Sequence, residues 1–212
     1  MIKAAIFDMD GLLINSERII MQACIQAAND IGITYTQTEF VELIGRSSVD
    51  STRIMADQLG GEENLSKVGK GVEAILAQRN HAFPLKPGAQ KLLEHYSSNN
   101  VMCSLASSSA NAHIQHRLSY VNVLHFFSHT TSGQEVANGK PNPDIYLLAI
   151  QKLDVAVEDC IAFEDSEQGA RAAIAAGLKV IVVPDLKQPS DFVIKNSFKV
   201  VGSLEDFLST LT

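Results

Sequence analysis

The chain has 212 residues, 46% of them hydrophobic, enough to bury a substantial core as one large domain or a domain carrying a smaller partner. Its 17 Lys and Arg are outnumbered by 24 Asp and Glu, and a net charge of −7 repels polyanions, which argues against nucleic acid as a partner. Cys24, Cys103 and Cys160 are odd in number and lie inside apolar stretches, which suits buried thiols in a reducing compartment better than a disulfide framework.

Met1-Ile2-Lys3 runs into the apolar segment Ala4-Ala5-Ile6-Phe7 without the pattern of a secretory signal. No stretch approaches the roughly 20 apolar residues of a bilayer span. The expectation is a soluble cytoplasmic protein that makes no use of a membrane. The apolar segment reads as a buried first strand, and Asp8, Asp10 and Gly11 follow it directly, at the edge where open α/β sheets bind ligands. Residues 16 to 82 then read as successive helices. Ser16 caps a segment in which Ile19, Ala23, Cys24, Ala27 and Ile31 recur at helical spacing up to Gly32. Further helices are expected over 38–44, 48–59 and 62–81, punctuated by Gly45 and Gly60-Gly61.

After Pro84 and Pro87-Gly88 the pattern alternates. Helices at 89–98, 110–121, 143–153, 167–176 and 203–211 are interleaved with strands at 101–106, 128–131, 160–163, 179–183 and 198–201. Alternation of this kind builds a Rossmann-like α/β core with a parallel sheet and right-handed crossovers. The stretch from Asp10 to Val101 far exceeds the roughly dozen residues that a parallel crossover needs. An all-helical cap domain over 16–83 is therefore expected within a discontinuous core of 1–15 and 84–212, placed like a lid over the carboxylates.

Three polar stations recur at later strand ends: Ser107-Ser108-Ser109, Lys140-Pro141 and Glu164-Asp165. Asp8, Asp10, Glu164 and Asp165 at one sheet edge would repel one another, at about 4 kcal/mol for each pair roughly 4 Å apart. Such a cluster needs a cation, and oxygen ligands without Cys or His favour Mg²⁺. Asp8 is placed to attack phosphorus, and Asp10 to protonate the leaving oxygen and later deprotonate water. Ser107 and Ser108, between a strand and a helix, suit phosphate oxygens; Ser109 suits helix capping. Pro141 biases Lys140 toward an extended backbone, and Asn142-Pro143-Asp144 supplies a cap, a first-turn proline and an acidic first turn.

The stretches Phe7-Asp8-Met9-Asp10-Gly11-Leu12-Leu13, Leu105-Ala106-Ser107-Ser108-Ser109, Gly139-Lys140-Pro141-Asn142-Pro143-Asp144 and Phe163-Glu164-Asp165-Ser166 closely resemble the haloacid dehalogenase-like hydrolase superfamily. Gly169 and the run Ala172 to Gly177 extend the last of them, and the likeness is to the phosphatase and β-phosphoglucomutase branch with a small helical cap. The resemblance implies a nucleophile at Asp8, a general acid/base at Asp10, and phosphate binding by Ser107 and Lys140. It also implies Mg²⁺ held by Asp8, the main-chain carbonyl of Asp10 and Asp165, with Glu164 as an auxiliary acid. Arg46, in Gly45-Arg46-Ser47-Ser48, resembles a cap residue that contacts substrate.

Two departures bear on the reaction. Asn15-Ser16-Glu17 stands where relatives often read Asp-Ser-Glu, and Ile20 where sugar-phosphate mutases of the branch usually carry histidine. The expected activity is Mg²⁺-dependent hydrolysis of a small phosphorylated metabolite such as a sugar phosphate, through an aspartyl phosphate. The alternatives are a phosphosugar mutase of the β-phosphoglucomutase type and a non-catalytic phosphoacceptor or metabolite sensor.

Overall fold

The computed structural model describes residues 2–44 and 48–211 and divides into two compact units, Met1–Asn15 with Pro84–Thr212, and Ser16–Phe83. Strand β1 (Ala4–Phe7) opens the first unit, and the described residues of the second hold four helices: α1 (Ser16–Asp30), α2 (Gln37–Leu43), α3 (Ser48–Leu59) and α4 (Glu62–Gln78). Cys24, Ala27, Ala28, Tyr35, Leu59 and Val68 make a small core of their own. A Cβ at Gly71 would fall 2.8 Å from that of Ala27, so the missing side chain lets α1 and α4 approach closely. Ile31, expected on the apolar face of the first helix, is instead exposed, because the helix stops at Asp30.

The chain returns to the first unit beside the point where it left it: Asn15 donates its N–H to the carbonyl of Pro84 at 2.9 Å. Then follow α5 (Ala89–Ser98), β2 (Met102–Ser107), α6 (Asn111–Tyr120), β3 (Phe127–Ser132), α7 (Asp144–Leu153), β4 (Cys160–Glu164), α8 (Glu167–Ala175), β5 (Lys179–Val182), α9 (Asp191–Asn196), β6 (Lys199–Val200) and α10 (Leu204–Leu208). The six strands pair in parallel throughout their sheet, in the order β3-β2-β1-β4-β5-β6. This is the doubly wound order, and its switch point lies beside β1.

Central β1 is fully buried along its length, as a strand covered by helices on both faces must be. Phe7 pairs in register with Leu105 and Phe163, and the Phe7 and Phe163 rings stack 4.8 Å apart. One residue further on, Asp8 therefore lies between Ala106 and Glu164, and its N–H reaches the Phe163 carbonyl at 3.0 Å. The cysteines are all buried and unpaired, as their apolar settings implied. Helix α9 is absent from the sequence expectations, and α7 is capped by Pro143 rather than Asn142, whose side chain instead donates to the Gly139 carbonyl. No helix among the described residues is long and apolar enough to cross a membrane.

Candidate active site

The register of β1 and β4 brings Asp8 beside Glu164, and the loop before α7 delivers Lys140 between them. The ammonium lies 2.6 Å from Asp8 Oδ1 and 2.6 Å from Glu164 Oε1, and donates to the Ala106 carbonyl at 3.0 Å. All three of its protons are thus directed by fixed acceptors. Glu164 is fully buried and both its oxygens are engaged. Oε1 also accepts from the Tyr146 hydroxyl, while Oε2 accepts from the Asp165 N–H and from the Ser166 N–H and hydroxyl. The Tyr146 ring lies under the ammonium, 5.2 Å from its centroid, so one side chain of α7 supports both members of the pair.

Asp8, Glu164 and Asp165 form a buried acidic group in which one oxygen from each lies within 4.8 Å of the others. Burial pushes the Asp8 carboxyl from its ordinary 3.8 up to about 8, with Lys140 opposing the rise and Glu164 and Asp10 adding to it. Burial also works against the charge on Lys140, but Asp8 and Glu164 outweigh it and hold the ammonium well above the usual lysine range. One ammonium among three carboxyl groups leaves an acidic surplus. With oxygen donors alone and no Cys or His in the group, the set fits a hard divalent cation.

The Asp10 carboxylate takes a different direction from the three-residue acidic group. Asp10 follows the strand within a tight turn, closed by N–H groups of Leu13 and Ile14 donating to the Met9 carbonyl. Its Oδ2 accepts from the Ser109 hydroxyl at 2.7 Å and its Oδ1 from Arg117 Nη1 at 2.7 Å. Ser107, buried at the end of β2, accepts the Ser109 N–H on its hydroxyl at 3.1 Å. Ser109 is thus a partner of Asp10 rather than the cap of α6, whose capping position is Ala110 and whose Asn111 N–H is met by Gln134. The sequence expectations contained neither Arg117 nor Tyr146. Ser108 adjoins this turn, and Arg46 lies outside the described residues.

Helix α8 comes close to the acidic group because Gly169 has no side chain. A Cβ there would overlap the Glu164 carboxylate, while the Gly169 N–H is taken by the Ser166 cap at 3.1 Å. Gly169→Ala is expected to push Glu164 aside and carry Lys140 with it. The loss should be about 100-fold in kcat with about 1–3 kcal/mol of stability. Paired kinetics and denaturant melts check this, and unaltered kcat in the folded variant would contradict it.

Residues 5–183 match the haloacid dehalogenase-like hydrolase family. A probable pseudouridine-5′-phosphatase of Drosophila melanogaster is 32% identical over 216 residues, covering 95% of this chain and 90% of the relative. A phosphorylated carbohydrates phosphatase of Thermotoga maritima is 32% identical over 180 residues, covering 84% of this chain and 83% of its own. Among solved structures, CbbY from Rhodobacter sphaeroides in complex with phosphate superposes with a TM-score of 0.77 at 25% identity, over 98% of this chain and 96% of that one. Sequence and fold agree across nearly the whole length, and the chain belongs to the haloacid dehalogenase-like hydrolases.

Proposed function

We propose that the protein is a Mg²⁺-dependent phosphatase that hydrolyses a small phosphomonoester such as a sugar phosphate through a phosphorylated Asp8. It is an enzyme of the phosphoric monoester hydrolase class. The observation that carries the finer reading is the buried Asp8–Lys140–Glu164 arrangement at the switch point of the sheet, with Asp165 in the same acidic group.

Asp8 and Asp165, with the Asp10 main-chain carbonyl and the nearby charge of Glu164, would hold Mg²⁺, which supplies positive charge that offsets the phosphate dianion and favours ionised Asp8. An Asp8 oxygen attacks phosphorus, the bond from phosphorus to the leaving oxygen breaks, and Asp10 gives that oxygen a proton. Water then attacks the acyl phosphate, Asp10 takes a proton from it, and inorganic phosphate leaves with Asp8 regenerated. Lys140 meets the charge on the transferring group, while Ser107 and Ser108 cradle its oxygens. Buried, unpaired cysteines support a reducing, cytoplasmic setting.

The test is phosphate release by the full chain over sugar phosphates, nucleotides and other small monoesters. Release is expected from at least one of them, abolished by EDTA and restored by Mg²⁺. Isomer formation without free phosphate would replace this reading with a mutase, and a stable phosphoprotein without turnover would replace it with a phosphoacceptor.

A further inference from the structure

We propose that Arg117 is a positioning residue that, together with Ser109, fixes the orientation of the Asp10 carboxylate for proton transfer to the leaving group. The inference rests on the assignment of Asp10 as general acid/base. Each Asp10 oxygen has its own donor: Oδ1 meets Arg117 Nη1 at 2.7 Å and Oδ2 meets the Ser109 hydroxyl at 2.7 Å. A carboxylate held through one oxygen turns about its terminal torsion, whereas one held through both does not. The two donors also approach each other, with Arg117 Nη1 3.5 Å from the Ser109 oxygen, so the three groups close a triangle.

Both donors are themselves anchored. The Ser109 carbonyl accepts from the Ser132 hydroxyl at 2.8 Å, and its N–H donates to Ser107. Arg117 lies on α6 between buried Ile114 and buried Leu118, and its side chain is only 14% exposed. An arginine on a helix surface ordinarily extends its charge into water. Here the charge is turned inward onto a carboxylate of the site, and a partly buried ion pair of this kind is a weak contributor to stability. Its position is better accounted for by geometry: proton transfer demands a donor held on the leaving oxygen.

The step assisted is departure of the leaving oxygen: Oδ1 stays on Arg117, the proton is carried on Oδ2, which keeps a lone pair for the Ser109 hydroxyl, and the bond from phosphorus to oxygen breaks as that proton moves to the leaving oxygen. Alkoxide leaving groups need that proton; 4-nitrophenolate does not. The experiment compares kcat/KM, which ends at leaving-group departure, for glycerol phosphate and 4-nitrophenyl phosphate in wild type, Arg117→Ala, Arg117→Lys, Asp10→Asn and the Arg117→Ala/Asp10→Asn double variant. Arg117→Ala is expected to lower kcat/KM at least tenfold more for the alkyl than for the aryl ester, with Arg117→Lys intermediate. In the Asp10→Asn background Arg117→Ala should cost no more than a further twofold, because its effect passes through Asp10. Equal losses on both esters, or a full additional loss in the Asp10→Asn background, would overturn the proposal. If Arg117→Ala melts below the assay temperature, the Arg117→Lys comparison decides by the same ratio. Wild type that releases phosphate with Mg²⁺ from neither of these two esters and from none of the other monoesters of the screen overturns the phosphatase reading as well.

Discussion

Asp8→Asn is expected to lower phosphate release by on the order of 10⁴ to 10⁶, the scale of losing a covalent nucleophile outright, while the protein stays folded. The amide is nearly isosteric with the carboxyl, and its oxygen still accepts a hydrogen bond from Lys140, which lies 2.6 Å from Asp8 Oδ1. What disappears is the oxygen that, in the proposed mechanism, forms the acyl phosphate. The substitution also removes a carboxyl that burial has pushed up to about 8, so stability should change little or improve. Rapid-quench labelling with a phosphorylated substrate, followed by hydroxylamine, checks the covalent step: wild type yields a trapped acyl group and Asp8→Asn none. Turnover within tenfold of wild type in the folded variant would remove Asp8 from the nucleophile's role.

Lys140→Met should be the most damaging substitution for stability, at about 3–5 kcal/mol, because deleting one partner of a buried ion pair strands the other. Here two carboxyl groups lose their partner, since the ammonium is 2.6 Å from each of Asp8 and Glu164 and almost wholly buried. The deficit should depend on pH with a defined sign. Asp8 has a folded value of about 8 against an ordinary 3.8. Such a raised acid contributes stability below its unfolded value and loses it as pH rises through the folded one. Loss of Lys140 removes the charge that opposes this rise, so the gap between variant and wild type should be widest above pH 8 and narrow toward pH 5. Urea melts across that range measure it. Activity should fall by at least about 100-fold, as for loss of one preorganised electrostatic contact. A pH-independent deficit below 1 kcal/mol would show that the ammonium is not the counterion of this group.

Much of the core was legible because buried strands leave an unmistakable pattern: Ala4 to Phe7 and Cys160 to Phe163 are apolar runs ended by acids, and the polar stations follow them. β3 was fainter, since Phe127–Ser132 is an edge strand in which five of the six residues are polar. α9 had no apolar period to find, with Phe192 and Ile194 exposed and only Val193 buried. The polar partners of the site were legible only in part. Tyr146 shares the buried face of α7 with Ile145, Ala149 and Leu153, and a buried phenol must find an acceptor, so the spacing held a usable signal. For Arg117 there was none, because its carboxylate partner lies 107 residues away and nothing local distinguishes it from a surface arginine. Ser109 misled for a related reason: a serine before a helix invites a capping assignment, and only the fold shows Asp10 within reach of its hydroxyl.

The saturated hydrogen-bonding of Glu164 has a consequence over a reaction cycle. In the proposed cycle Asp8 alternates between free anion and acyl phosphate, so its hold on any neighbouring cation varies from one stage to the next. Glu164 does not alternate, because Tyr146, Ser166 and main-chain N–H groups occupy it throughout. Lys140 is therefore tethered to an unchanging anchor while its other neighbour is rewritten, and no reorganisation is needed to recruit it for each new turnover.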